Sequence, residues 1–368
     1  MNIDQELKKE GIEVIRTLDR LSINSIAKSV ADKLERAFPE QNLDAKDLFM
    51  KLSRINMYVA KMPDSLSSAK YYYKNHSIYF NENTDLTHVD VCAIHECIHA
   101  LQEYRDEKGN LLRLGFCNFT SSSLPGMALN EAAVQLMSSY AMEANLDTVK
   151  YFDITLPTYS PSHYALECTL LTQMAYVTGN YDLFNSTLYS NDLFMDKFIL
   201  LTSKSTFYSI QTNLDKLMDL EDNLSFQTSL LADMDETSKN IEKITNKIAK
   251  LRMQIQTLFL NTQNLILTNY FDQKFNAIST LVQMEDYRKK LYNFKDFIGY
   301  TDTYSFYNDY YVKKMADLDW KRVEIQNQNS SIPVSRSLVP KKQGFLARLF
   351  SKLRKLFGLS NETVNIKM

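Results

Sequence analysis

Apolar positions set the first elements. Leu7, Ile12, Ile15, Leu18, Leu21, Ile26, Val30 and Leu34 recur at roughly helical spacing, which predicts one or two helices over residues 3–37. Pro39 and the polar QNLDAKD end that pattern. The period then changes. Residues 55–62 (INMYVAKM) and 69–80 (AKYYYKNHSIYF) are rich in aromatic and β-branched residues, with Lys74 and Asn75 as a turn between two runs. They predict a small sheet. From Thr87, read as an N-cap, THVDVCAIHECIHALQEY is helical again. Residues 105–125 read as loop and connector. Met127 to Met142 predicts a helix behind the Leu124-Pro125-Gly126 punctuation, and YSPSHYALECTLLTQMAYV another, entered through Pro161.

The second half lacks helix breakers. No proline lies between Pro161 and Pro333, and no glycine between Gly179 and Gly299. That predicts a largely helical region. Within it Leu230, Met234, Ile241, Ile244, Ile248, Leu251, Ile255, Leu258 and Leu265 keep 3-4 spacing, with Thr237 and Thr262 as polar exceptions. This is the pattern of a coiled coil or long helical hairpin, pairing within the chain or with a partner copy. The seam breaks around Asn269 to Asn276 and resumes at Leu291, Phe294 and Ile298, so a second arm packing back antiparallel is expected.

Residues 326–342 read as a flexible linker. In GFLARLFSKLRKLFGL, Phe345, Leu346, Leu349, Phe350, Leu353, Leu356 and Phe357 gather on one side of a helical wheel. Arg348, Lys352, Arg354 and Lys355 take the rest. Residues 343–360 are thus expected to be a basic amphipathic helix suited to an anionic membrane surface, or else docked on protein.

The expected fold class is α+β and mostly α-helical. It comprises an N-terminal helical segment (1–50), a core with a small sheet and site helices (51–190), a helical or coiled-coil domain (191–325), the linker and the terminal helix. A hydrophobic share of 45% over 368 residues is enough for a sizeable core. Net charge of −2 offers nothing global for nucleic acid. Cys92, Cys97, Cys117 and Cys168 lack zinc-ribbon spacing and are too few for a disulfide scaffold, so reduced thiols are expected. The charged N-terminus has no apolar signal core, and no run of apolar residues is long enough for a membrane span. The expected location is cytoplasmic, peripheral at the inner face of a membrane if the terminal helix binds lipid.

The candidate chemistry lies in AIHECIHALQ. His95 and His99 are four residues apart, so a helix presents both imidazoles on one face, within reach of one Zn²⁺. Glu96 falls beside them and can take a proton from water without ligating the metal. Solvated or core-bonded imidazoles are the alternative. The metzincin continuation would need glycine and histidine where Gln102 and Arg105 stand, which excludes that class. The candidate third ligand is Glu131, in GMALNEAAVQLM on a separate helix.

HExxH followed by G-x-x-L-N-E resembles the gluzincins, the thermolysin-like zinc peptidases, and above all their minimal single-domain forms. AKYYYKNHSIYFNEN is similar to the edge strands that precede the active-site helix in that family. The resemblance covers roughly residues 50–190. It implies Zn²⁺ held by His95, His99 and Glu131, with Glu96 as general base. It also implies a protein or peptide substrate pairing with the edge strand, and an oxyanion donor at Tyr164 or His163. The family usually has a carboxylate four residues after the third ligand, whereas this chain has Gln135, which implies weaker activation.

Three readings of the whole chain follow. The first is a zinc-dependent endopeptidase or amide hydrolase. The second is a non-catalytic zinc-binding or helical scaffold module at a membrane surface. In the third, the heptad is an oligomerising rod and the N-terminal half is secondary.

Overall fold

The structure, a computed structural model, describes residues 3–63, 68–120, 125–234 and 240–330. It is an α+β fold in which helix predominates and the strands form small sheets.

Residues 3–37 hold a short helix α1 (Ile3–Lys9), a strand β1 (Glu13–Thr17) and a longer helix α2 (Arg20–Ala37). The helical reading of this segment missed the strand, because Ile12, Ile15 and Leu18 also fit helical spacing. Gly11 carries the overlooked signal. Its φ is +75°, and a Cβ there would lie 2.7 Å from the Pro63 ring, so the chain turns where only glycine fits. Asp19 restarts the helix by accepting from Ser22 N at 2.8 Å. Helix α3 (Ala45–Leu52) follows, capped by Asp44.

The predicted sheet forms from β2 (Asn56–Lys61), β3 (Ala69–Tyr72) and β4 (Ser77–Asn81) together with β1. The order is β1-β2-β4-β3; β2 and β4 run parallel and the other pairs antiparallel. Strand β3 is therefore an edge. Asn81 N donates to Ser68 O at 2.8 Å, so alternate residues 68, 70 and 72 face β4. Tyr71 turns its N–H and C=O to the open side.

Helix α4 (Val91–Leu101) starts at Asp90 rather than Thr87. The Asp90 carboxylate accepts from Ala93 N at 2.8 Å, whereas Thr87 folds onto Asp85 in a turn. The stretch read as connector contains β5 (Glu103–Arg105), β6 (Leu111–Leu114) and β7 (Cys117–Asn118). Helix α5 (Met127–Ala141) matches its expected bounds. A hairpin of β8 (Asp147–Tyr151) and β9 (Ile154–Thr158) follows, then α6 (Ala165–Thr178), α7 (Asn180–Tyr189) and α8 (Leu193–Leu201). Strands of two to five residues leave too few alternations for a period to register.

The long arm is a hairpin within the chain, but its turn falls inside the predicted seam, between Ala232 and Ile241. The antiparallel partner is the upstream helix rather than the arm expected after Asn276, and Leu230 is accordingly exposed. Helices α9 (Lys204–Ala232) and α10 (Ile241–Asn276) pair antiparallel: Thr206 bonds Asn269 and Asn213 bonds Thr262, each at 3.0 Å. Ile244, Ile248, Leu251 and Ile255 are buried as the seam predicts. Thr262, a polar exception in the pattern, is buried and bonded to Asn213. Helix α10 runs unbroken through 269–276, where a break was expected, because Tyr270 and Phe271 carry the buried stripe onward. Helices α11 (Leu281–Phe294) and α12 (Phe306–Ser330) complete the region, with Leu291, Phe294 and Ile298 buried. Residues 326–330 continue α12 where the linker was expected, since no breaker precedes Pro333. The rest of that linker and the 343–360 stretch lie outside the described residues.

The arm is seated on the half that carries the candidate site, and Met1–Arg322 group as one compact unit. Asp215 of α9 accepts from Gly126 N and Ala128 N, both at 3.0 Å, and so caps α5 from another helix. No helix among the described residues is long and apolar enough to cross a membrane.

Candidate metal centre

Helix α4 is buried along its whole middle, from Ala93 to Ala100. A helix covered on all sides has no solvated face, so its polar side chains need partners inside the protein. His95, Glu96 and His99 find them on β3, α5 and the chain around them.

His95 and His99 meet Glu131 of α5. His95 Nε2 lies 3.0 Å from His99 Nε2 and 3.2 Å from Glu131 Oε2, and His99 Nε2 lies 3.4 Å from the same oxygen. Metal bonds of about 2.0–2.1 Å in a tetrahedron put donor atoms about 3.3 Å apart. The three separations fit that edge length. Two imidazole nitrogens facing each other at 3.0 Å also repel unless a proton or cation lies between them. Among the described residues this is the one His/Cys/Asp/Glu group of three or more able to hold a metal ion.

The charges agree with the geometry. Burial pushes the Glu131 carboxyl up, but the facing His99 and His95 rings outweigh it and hold it well below the usual carboxylate range. Burial pulls His99 down, yet Glu131 and Glu96 carry it up to about 9. Carboxylates that favour a proton on His99 would equally favour a metal cation in its place.

Each imidazole is oriented from behind by a glutamine. His95 Nδ1 lies 3.0 Å from Gln135 Oε1, and His99 Nδ1 lies 3.1 Å from Gln102 Oε1. A carbonyl only accepts, so each ring proton sits on Nδ1 and each Nε2 is left to face the cluster. The glutamines are themselves anchored. Gln135 Nε2 donates to Ser160 Oγ at 2.9 Å, and Ser160 donates to the His163 carbonyl at 2.6 Å. Gln102 Nε2 donates to the Thr187 carbonyl at 2.8 Å and to Asn130 Oδ1 at 3.2 Å. Sequence reading weighed Gln135 but missed the supporting role of Gln102, Asn130 and Ser160. Gln102 directly follows α4, which was its only available signal.

Gly115 makes room for this support. Its φ is +56°, and a Cβ there would lie 1.9 Å from Asn130 Oδ1 and 2.4 Å from Gln102 Nε2. Gly115→Ala is expected to destabilise the fold by roughly 2–4 kcal/mol, combining overpacking with left-handed strain. It should also weaken metal binding through His99. Denaturant unfolding with and without metal checks both effects. An unchanged midpoint would show that the pair yields freely.

Glu96 is held by the sheet. Its Oε2 accepts from Tyr71 N, the outward-facing amide of edge strand β3, at 2.6 Å. Burial raises the Glu96 carboxyl above its usual range, with His95 and His99 opposing. The Tyr71 phenol is fixed in turn: it donates to Glu103 and contacts His76 Nδ1 at 2.8 Å. Arg105 Nε and Nη2 donate to the two Glu103 oxygens at 2.8 Å each. Burial would raise the Glu103 carboxyl, but His76, Arg105 and Tyr71 lower it to about 2. A depressed carboxyl contributes stability above its unfolded pKa and loses it as pH falls. Glu103→Gln is therefore expected to cost roughly 1–3 kcal/mol near neutrality. The gap to wild type should shrink between about pH 4.5 and 2. Urea midpoints across that range test it, and a pH-independent gap would refute the charge argument.

The two candidates for an oxyanion donor separate. Tyr164 caps α6 in the left-handed region, at φ 52°. Such a conformation in a bulky residue costs about 1–3 kcal/mol and is held by its surroundings. It stacks the ring on His95, with 6.2 Å between centroids, and brings the phenol 3.3 Å from Glu131 Oε2. Burial, Glu131 and Glu96 push this phenol far above its ordinary pKa, so it stays a proton donor. His163 contributes its backbone carbonyl to Ser160, and its imidazole makes no hydrogen bond among the described residues. Burial and the neighbouring His95 lower its pKa. Cys97 is buried and Cys92 half-buried, and both are free thiols outside the donor cluster.

The site thus brings together His95, His99, Glu131, Glu96 and Tyr164, with His163 beside it. No family model matches this chain, and no curated protein or solved structure does either.

Proposed function

We propose that the protein is a zinc-dependent peptidase of gluzincin type. The observation that carries this reading is the set of three donor atoms spaced 3.0–3.4 Å apart, beside a buried carboxylate that is not one of them. His95, His99 and Glu131 hold the metal through two imidazole nitrogens and one carboxylate oxygen. A structural zinc is closed by four protein ligands, whereas this cluster offers three.

Zinc, when bound, polarises a substrate carbonyl and lowers the pKa of water. The chain's own residues do the rest. Glu96 takes a proton from the attacking water and returns it to the leaving amine nitrogen. Its raised affinity for protons suits that double use. Tyr164 directs its phenol at the carbonyl oxygen as negative charge develops there. Gln135 and Gln102 hold the imidazoles in one tautomer. Tyr71 fixes Glu96 through its amide, and its carbonyl on the same open edge is available to an extended peptide.

A second reading, a non-catalytic metal module, is favoured by one observation. Both imidazoles lean on neutral glutamine carbonyls rather than carboxylates, which raises ligand basicity less. Cleavage of a peptide library by the wild type and by Glu96→Gln, at matched metal content, separates the two. Cleavage only by the wild type supports the peptidase. Equal behaviour of the two proteins removes the catalytic claim.

A further inference from the structure

Helices α10 and α11 meet at a corner around Ala277 and Ile278, where a cavity of about 340 Å³ opens. That is within the range of small-ligand sites. Its wall is aromatic and apolar, built from Tyr270, Phe271, Ile278 and Tyr287. Two ammonium groups line it. Lys290 Nζ lies 5.1 Å from the Tyr270 ring centroid and 5.5 Å from that of Tyr176. Lys274 Nζ lies 5.8 Å from the Tyr270 centroid. Both cations therefore converge on one ring.

Their partners are the unusual feature. Nearby Lys314 sits over Phe275 and Tyr310 but is paired with Asp272 at 2.7 Å, and Lys197 is paired with Asp182. Among the described residues, neither Lys274 nor Lys290 forms an ion pair, although Asp286 also lines the cavity. Burial first, then the positive Lys274 and Lys197, push the Lys290 amine below its ordinary pKa. A half-buried cation facing a second cation is unfavourable unless an anion joins them. Tyr176, beside Lys290, stands twelve residues along α6 from Tyr164, about 18 Å along that helix, and none of the residues lining the cavity belongs to the metal cluster.

We propose that this cavity binds a small planar organic anion, with its ring against Tyr270 and Tyr287 and its carboxylate or phosphate between Lys274 and Lys290. The site is separate from the metal centre and does not depend on peptidase activity.

The test uses pyridoxal 5′-phosphate as probe on the full-length protein at neutral pH. The Lys290 amine condenses with its aldehyde to an imine, releasing water. Borohydride then delivers hydride to the imine carbon and fixes the adduct for peptide mapping. Lys290 is expected to be the dominant labelled residue. Phenyl phosphate should protect it at concentrations where inorganic phosphate does not. Lys274→Gln, checked for unchanged thermal melting, should reduce labelling about tenfold or more, which is ~1.4 kcal/mol of lost binding. Labelling spread evenly over exposed lysines would overturn the proposal. So would labelling indifferent to Lys274→Gln, or protection by inorganic phosphate equal to that by phenyl phosphate.

Discussion

Glu96→Gln is expected to abolish most hydrolytic activity while leaving metal content unchanged. The carboxylate is buried, sits outside the donor cluster, and accepts from Tyr71 N rather than facing solvent. A glutamine is nearly isosteric, but its amide cannot take up the water's proton. General base catalysis typically contributes about 10²–10⁴-fold, and that is the expected loss in kcat. KM should change little, because in the proposed mechanism Glu96 acts on the water rather than holding the peptide. Peptide hydrolysis measured beside zinc content gives both numbers. A loss of activity that merely tracks a loss of metal would assign Glu96 a structural role.

Glu131→Ala is expected to have the larger effect on metal. The Glu131 carboxylate is the only anionic donor in the cluster, and it faces both imidazoles at 3.2 and 3.4 Å. Losing a supporting residue behind a ligand typically costs about 10–100-fold in metal affinity. Loss of the ligand itself should exceed that, by about a hundredfold or more. In the metal-free protein the substitution also strips His99 of the main partner that carries its pKa up to about 9. Competition titration with a zinc chelator measures the first effect, and the histidine ring signals in NMR report the second. Equal affinity in both proteins would keep the two histidines but remove Glu131 from the site.

Much of this site was legible in the sequence. The i, i+4 histidines lie on one helix, and GMALNE places a glutamate on another. The histidine pair needed only helical periodicity, whereas the choice of Glu131 rested on the resemblance of GMALNE to the gluzincin motif. The choice between Tyr164 and His163 was not legible. They are adjacent, and only the left-handed backbone at Tyr164 decides that the phenol, and not the imidazole, reaches Glu131. Gln102 was also hidden. Its role depends on the chain turning at once from α4 into β5, and on Gly115 leaving space behind it.

The fold shows the same division. Long periodic stretches such as α5 and the Ile244–Ile255 seam carry many repeats, and they appear where the pattern put them. Strand β1 was lost because five residues can match two periods at once. The cap at Asp90 was mistaken for Thr87 because both residue types cap helices, and only the local turn at Asp85 removes Thr87 from that role. The bond from Asp215 to the start of α5 joins residues almost ninety positions apart, which no local pattern encodes.

The most direct test of the central claim is elemental analysis of the full-length protein, purified without a metal-binding tag. One zinc per chain is the result the proposed function predicts, retained in Glu96→Gln and largely lost in Glu131→Ala. Absence of metal from the wild type, even after incubation with excess zinc, would contradict it and leave the His95–His99–Glu131 cluster as a buried hydrogen-bonded core.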